Sequence, residues 1–200
     1  MNRKIDTITA TITAELYARA ISCASTDAHR PQLAGVRVEP HKDGGTILIA
    51  TDGHCAVIIR DAEGFASEAF TLALPKALLK ECKPSRYCKE PTIWIESGSA
   101  KINGIQTSDW LIDMAFPDWR GIVPKTTPDM GCMASFDNRV LSRLATALTS
   151  DKVQTLVLKG ESDTYPHIVF GTLKDALGVA MPLRVSFSIP DNDFSVPAWL

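Results

Sequence analysis

The chain lacks an excess of positive charge, a long apolar run and a patterned set of cysteines, and each absence removes a class of function. Lys and Arg number 21 against 23 Asp and Glu, a formal charge of −2. No global basic signal for nucleic acid is present, so any DNA contact must rest on where individual cations sit. Such contact is weak, salt-sensitive and independent of base sequence. No stretch approaches the ~20 apolar residues that span a bilayer, and the first residues carry no signal-peptide pattern. Cys23, Cys55, Cys82, Cys88 and Cys132 are odd in number and include no CxxC. They read as reduced thiols of a cytoplasmic protein with no metal or other cofactor.

What is present is an ordinary globular composition, 45% hydrophobic and 22% charged. The length of 200 residues suits one large domain or two small ones. A weak internal repeat runs through it, each unit reading as a short strand, an amphipathic helix and two or three strands. The units span roughly Ile5 to Arg60, Phe70 to Val123 and Met133 to Val185. In the first, Leu16, Tyr17, Ala20, Ile21 and Ala24 form one apolar helical stripe, with Glu15 and Arg19 spaced as an ion pair. Asp43-Gly44-Gly45 and Asp52-Gly53 are turn signals between strand-like runs. In the second, Pro75 opens a helix through Cys82, and Thr92–Glu96, Ser99–Ile102 and Thr107–Met114 read as strands. In the third, Asp137 or Asn138 caps a helix carrying Val140, Leu141, Leu144 and Leu148. Lys152–Leu158, Ile168–Phe170 and Leu177–Val185 follow as strands. The expectation is an α+β fold of repeated strand–helix–strand units with antiparallel sheets.

Three segments carry a resemblance. Leu33-Ala34-Gly35-Val36 precedes Ala50-Thr51-Asp52-Gly53-His54. Leu111-Ile112-Asp113-Met114-Ala115-Phe116-Pro117-Asp118-Trp119-Arg120-Gly121-Ile122-Val123-Pro124 forms a second, and Val179-Ala180-Met181-Pro182-Leu183-Arg184 a third. In order and spacing these resemble the beta sliding clamp family of bacterial DNA polymerase III, in its middle domain, its connector and its closing segment. The resemblance implies a DNA-clamp fold shortened by the N-terminal domain. Residues 1–124 correspond to the middle domain, 125–185 to half of the C-terminal domain, and 186–200 form a tail.

The resemblance also implies a pocket, where those segments converge, for short linear peptides of DNA polymerase, clamp loader or repair proteins. Carried over by position, its residues are Leu33, Thr51, Gly53, His54, Pro117, Ile122, Val179, Met181, Pro182, Leu183 and Arg184. Cys55 and Gly121 stand where the family usually or often has arginine, and Ala56 where it has leucine, which alters peptide specificity. Apolar walls with a few polar anchors suit peptide docking, and flexible Met181 suits imperfect partners. Double-stranded DNA is the other implied partner, met by helix cations: Arg19; Lys76, Lys80 and Lys83; Arg139 and Arg143. A solvated face explains those cations equally well.

The implied function is a clamp-like processivity or partner-recruitment protein, not an enzyme. It acts as a homo-oligomer, because three repeat units per chain would let four chains complete the family's ring of twelve. The alternative is a clamp mimic that binds replication-protein peptides without encircling DNA. A cysteine hydrolase built on Cys55 and His54 ranks last, since neighbours on a strand face opposite ways. A third reading has Phe194 to Leu200 occupy the pocket of their own or a neighbouring subunit, as an internal inhibitor or an assembly arm.

Overall fold

The computed structural model describes residues 7–86, 88–125, 134–149, 155–162 and 165–183. The repeat is visible in it. The first unit runs β1 (Ala10–Thr13), α1 (Ala14–Ala20), β2 (Val36–Pro40), β3 (Thr46–Thr51) and β4 (Cys55–Asp61). After the two-residue strand β5 (Phe65–Ala66), the second runs β6 (Phe70–Leu72), α2 (Lys76–Glu81), β7 (Thr92–Glu96), β8 (Ser99–Ile102) and β9 (Ile105–Thr107). The third has α3 (Asn138–Leu148), β10 (Val157–Lys159), β11 (His167–Phe170) and β12 (Ala176–Ala180). Among the described residues, its leading segment shows a single bridge between Ser135 and Leu183.

All pairings between these strands are antiparallel, in two sheets. One follows the order β5-β1-β7-β8-β9, the other β10-β11-β12-β4-β3-β2-β6. The first two units exchange their leading strands: β1 pairs with β7, and β6 pairs with β2. Each therefore supplies an edge that the other needs. Two buried polar contacts secure the exchange. Tyr17 of α1 donates its hydroxyl to Leu72 O (3.3 Å) and accepts from Leu74 N (2.9 Å), straddling the end of β6. Asp61 accepts from Thr13 N (2.7 Å) and Thr13 Oγ1 (2.9 Å), so a buried carboxylate meets the start of α1, where free N–H groups favour negative charge.

Helices α1 and α3 cover one face of the seven-stranded sheet, α1 over β3 and β4, α3 over β4 and β12. Asp137 caps α3 by accepting from Arg139 N at 2.8 Å. That helix buries Val140, Leu144, Ala147 and Leu148. Its close approach needs Gly178 of β12: a Cβ there would lie 2.8 Å from Leu148 Cδ1 and 2.9 Å from Leu144 Cδ2.

Several expectations shift. The strand expected over Thr107–Met114 ends at Thr107, leaving Leu111 in a lone bridge with Leu72. Trp110 turns inward instead, edge-on to Phe70, with its indole N–H donating to Gly98 O at 3.1 Å. Of the strand expected over Lys152–Leu158, the described residues show β10 at Val157–Lys159, residues 152–154 lying outside them, and β12 stops at Ala180 before Pro182, which has no N–H to give. The second-unit helix ends at Glu81 with Cys82 as its cap, so Lys83 lies beyond it. The seven-stranded sheet crosses residue 124 through the β4–β12 ladder, so the proposed parts 1–124 and 125–185 share one sheet. The tail 186–200 lies outside the described residues, as do Cys132 and Arg184.

Candidate functional site

The β3–β4 turn is built by its own side chains. Asp52 Oδ1 accepts from His54 N (2.8 Å) and Cys55 N (2.9 Å). Thr51 Oγ1 accepts from Gly53 N (3.1 Å) and donates to Cys55 O (2.6 Å). Gly53 takes φ +91°, a conformation open to glycine at no steric cost. The result leaves His54 exposed and turns Cys55 inward.

Asp52 also receives Arg143, whose guanidinium donates to Ser22 O (2.7 Å) and Ala24 O (2.8 Å). Burial alone would raise the Asp52 pKa. The backbone N–H groups of Cys55 and His54, with Arg143, outweigh it and hold the carboxyl below its usual range. The turn is thereby fastened to α3 and to the segment after α1.

The connector is fastened from the other side. Asp118 accepts from Arg120 N (3.2 Å) and opens a 3-10 turn over Trp119–Ile122. Arg120 lies 4.2 Å over the Trp119 ring and donates to Glu39 Oε2 at 2.9 Å. Glu39 also accepts from Arg37 Nε at 3.3 Å. Burial pushes the Glu39 pKa up, but Arg120 and Arg37 together bring it below its ordinary value. A third wall follows β12, where Met181 N donates to His54 O at 2.9 Å and Leu183 N to Ser135 O at 2.7 Å.

Between these walls lies a cavity of about 240 Å³. Leu33, Thr51, Gly53, His54 and Cys55 line its hairpin side. The connector contributes Pro117 and Ile122, and β12 with the segment after it contributes Val179 and Met181. Ala56, Asp118 and Trp119 complete it. Asp118 and Trp119 were missed as site residues; only their place within the connector motif could have signalled them. Ile122 (41%) and Met181 (39%) are exposed on the rim, so apolar surface is left open to solvent.

The other expected pocket residues sit elsewhere. Gly121 lines an adjoining cleft of about 310 Å³ that also holds Arg120, Lys125 and Lys159, and Ile122 is common to both. Pro182 and Leu183 line a hollow of about 500 Å³ beside Asp52, Arg139 and Arg143, which shares His54 and Met181 with the cavity.

Cys55 is a poor nucleophile here. Its thiol hydrogen-bonds Cys23 and is buried, and both effects push its pKa up, while that bond lowers the pKa of Cys23. A thiol held protonated, with the neighbouring imidazole exposed on the far side of the turn, does not assemble a catalytic pair. Among the described residues no cluster of His, Cys, Asp or Glu is arranged to hold a metal ion. Among them too, no helix is long and apolar enough to cross a membrane.

Two of the expected DNA-facing cations are structural fasteners. Arg143 is spent on Asp52 and two carbonyls. Arg19 bonds Glu15 (2.8 Å) and Thr149 O (Nη1, 2.5 Å). Arg139 is exposed but pairs with Asp137 at 2.7 Å, while Lys76, Lys80 and Lys83 stand exposed.

No family model matches the chain, and no curated protein matches it. Solved structures do. The DNA polymerase III beta subunit of Thermotoga maritima superimposes with a TM-score of 0.66 at 16% identity, covering 90% of this chain and 66% of that one. The DnaN sliding clamp of Bartonella birtlesii, solved bound to griselimycin, gives 0.62 at 16%, covering 88% and 66%. The sliding clamp of Pseudomonas aeruginosa gives 0.63 at 14%, covering 90% and 68%. The chain has the sliding-clamp fold, and it spans about two thirds of the length of these clamps.

Proposed function

We propose that this chain is a non-catalytic, clamp-like recruitment protein that captures short peptide segments of DNA-processing partners. The observation that carries the reading is the apolar cavity where β4, the connector and β12 meet, with Met181 and Ile122 exposed on its rim. A folded chain leaves such a surface open when something else covers it. Thr51 and Gly53 line the cavity on the hairpin side, and His54 and Asp118 add polar groups. No cofactor enters the mechanism.

The test is fluorescence anisotropy with a labelled peptide from the terminal segment of a bacterial replicative DNA polymerase. Saturable binding is expected, and Met181→Asp should weaken it at least tenfold. An unchanged affinity in that variant would remove the cavity as the site.

The committed state of the arginines favours a second reading, a mimic that binds such peptides without holding DNA. With Arg19 and Arg143 used internally, Lys76, Lys80 and Lys83 are the best-placed cations for phosphate contact. Salt-resistant retention on circular DNA that is lost on linearisation supports a closed clamp; no retention on either supports the mimic.

A further inference from the structure

The groove is longer than the cavity. Ile122 belongs to both the apolar cavity and the adjoining cleft, so the two are continuous along the connector. The cleft is of different character: Lys125, Lys159 and Arg120 line it against the single carboxylate of Glu161. A ligand suited to the whole groove therefore has an apolar part and an acidic part directly joined.

The chain contains such a segment. Asp191 and Asp193 lead directly into Phe194, Val196, Trp199 and Leu200, with prolines at 190 and 197. Position favours it as well. Met181 forms part of the cavity, and Leu183, bonded to Ser135, is two residues further on. The chain thus leaves the described part beside the groove. The ten residues from Arg184 to Asp193 reach up to ~35 Å when extended, ample for a return to an adjacent cleft. A tether of that length gives an effective concentration on the order of millimolar. The prolines bias the segment towards extended conformations, which lowers the ordering cost of lying in a groove.

We propose that residues 186–200 are an intramolecular ligand of this groove, with Asp191 and Asp193 over the Lys125–Lys159 cleft and Trp199 in the cavity, so that partner peptides must displace them. The proposal rests on the reading of the cavity as a peptide site and adds its regulation.

The experiment compares the full chain with a chain shortened to residues 1–185. The two probes are a labelled peptide of residues 186–200 and the polymerase-derived peptide. The shortened chain should bind both, and the full chain should bind each at least about tenfold more weakly. In the 186–200 peptide, Trp199→Ala should cost tenfold or more. Asp191→Asn with Asp193→Asn should weaken binding several-fold and flatten its salt dependence. These peptide changes leave the folding of the protein untouched. If the shortened chain binds the polymerase peptide but not the 186–200 peptide, the self-ligand falls and the peptide site stands. If it binds neither, both fall. Equal affinities in the full and shortened chains overturn the proposal, and so does a dimer of the full chain that truncation dissolves.

Discussion

At the scale of single residues, Arg143 has the largest structural role among the cations. It satisfies two backbone carbonyls and the Asp52 carboxylate that builds the β3–β4 turn. Replacing it with methionine keeps the stem and removes every donor. The stranded carboxylate and carbonyls should cost about 2–4 kcal/mol, visible in urea unfolding. Arg139→Met, with its side chain in solvent, should change stability little. Asp52 also sets a pH dependence. Its folded pKa lies below the ordinary carboxylate value, so its contribution is complete above the unfolded pKa of about 4 and is lost as pH falls through the folded pKa. Asp52→Asn should flatten the acid limb of a stability-versus-pH curve. The thiols make a further check: brief alkylation of the native chain should label half-exposed Cys88 ahead of buried Cys23, Cys55 and Cys82.

At the scale of elements, the contact of α3 with β12 holds the third unit on the sheet. Gly178→Val would drive a branched side chain into Leu144 and Leu148. A loss of about 1–3 kcal/mol is expected in denaturant unfolding. Because Val179 is the next residue, peptide affinity should fall in the same variant. Much of this level was legible in the sequence. The Asp52-Gly53 hairpin, the Asp137 cap and the Glu15–Arg19 pair rest on local spacing, and local spacing is what a sequence displays. The exchange of β1 and β6 was not legible, since a period of two says that a strand is half-buried but not which sheet receives it. The contacts of Arg143 were not legible for a related reason: its position on an amphipathic helix does not disclose the two carbonyls and the carboxylate beneath it. The convergence of Leu33, Thr51, Pro117 and Val179 came from the motif resemblance, because no periodicity joins residues so far apart.

At the scale of the molecule, the described strands leave β5 and β9 at the ends of one sheet and β10 and β6 at the ends of the other; β5, β9 and β10 carry the exposed apolar residues Phe65 (53%), Ile105 (43%) and Val157 (50%). Unpaired edges of this kind are templates for strand pairing between chains. Assembly through them, in a closed ring of four copies or otherwise, is the expectation for a chain of three repeat units. Light scattering should then give a mass above that of one chain. Ile105→Lys with Val157→Lys should return it to a monomer, while a wild-type monomer at working concentrations rules the ring out.

The β4–β12 ladder has a consequence in time. Cys55 and Ala180 face each other across it, yet well over a hundred residues of synthesis separate them. On the ribosome the first two units can exchange strands and close their core while the far wall of the groove does not yet exist. β4 waits meanwhile as a bare edge, the stage at which a nascent chain is most exposed to mispairing. On the proposed peptide-capture reading, a complete site is expected only once β12 has emerged and docked. A chain stopped before that point lacks Val179 and Met181, two residues of the cavity wall, together with the strand that covers β4.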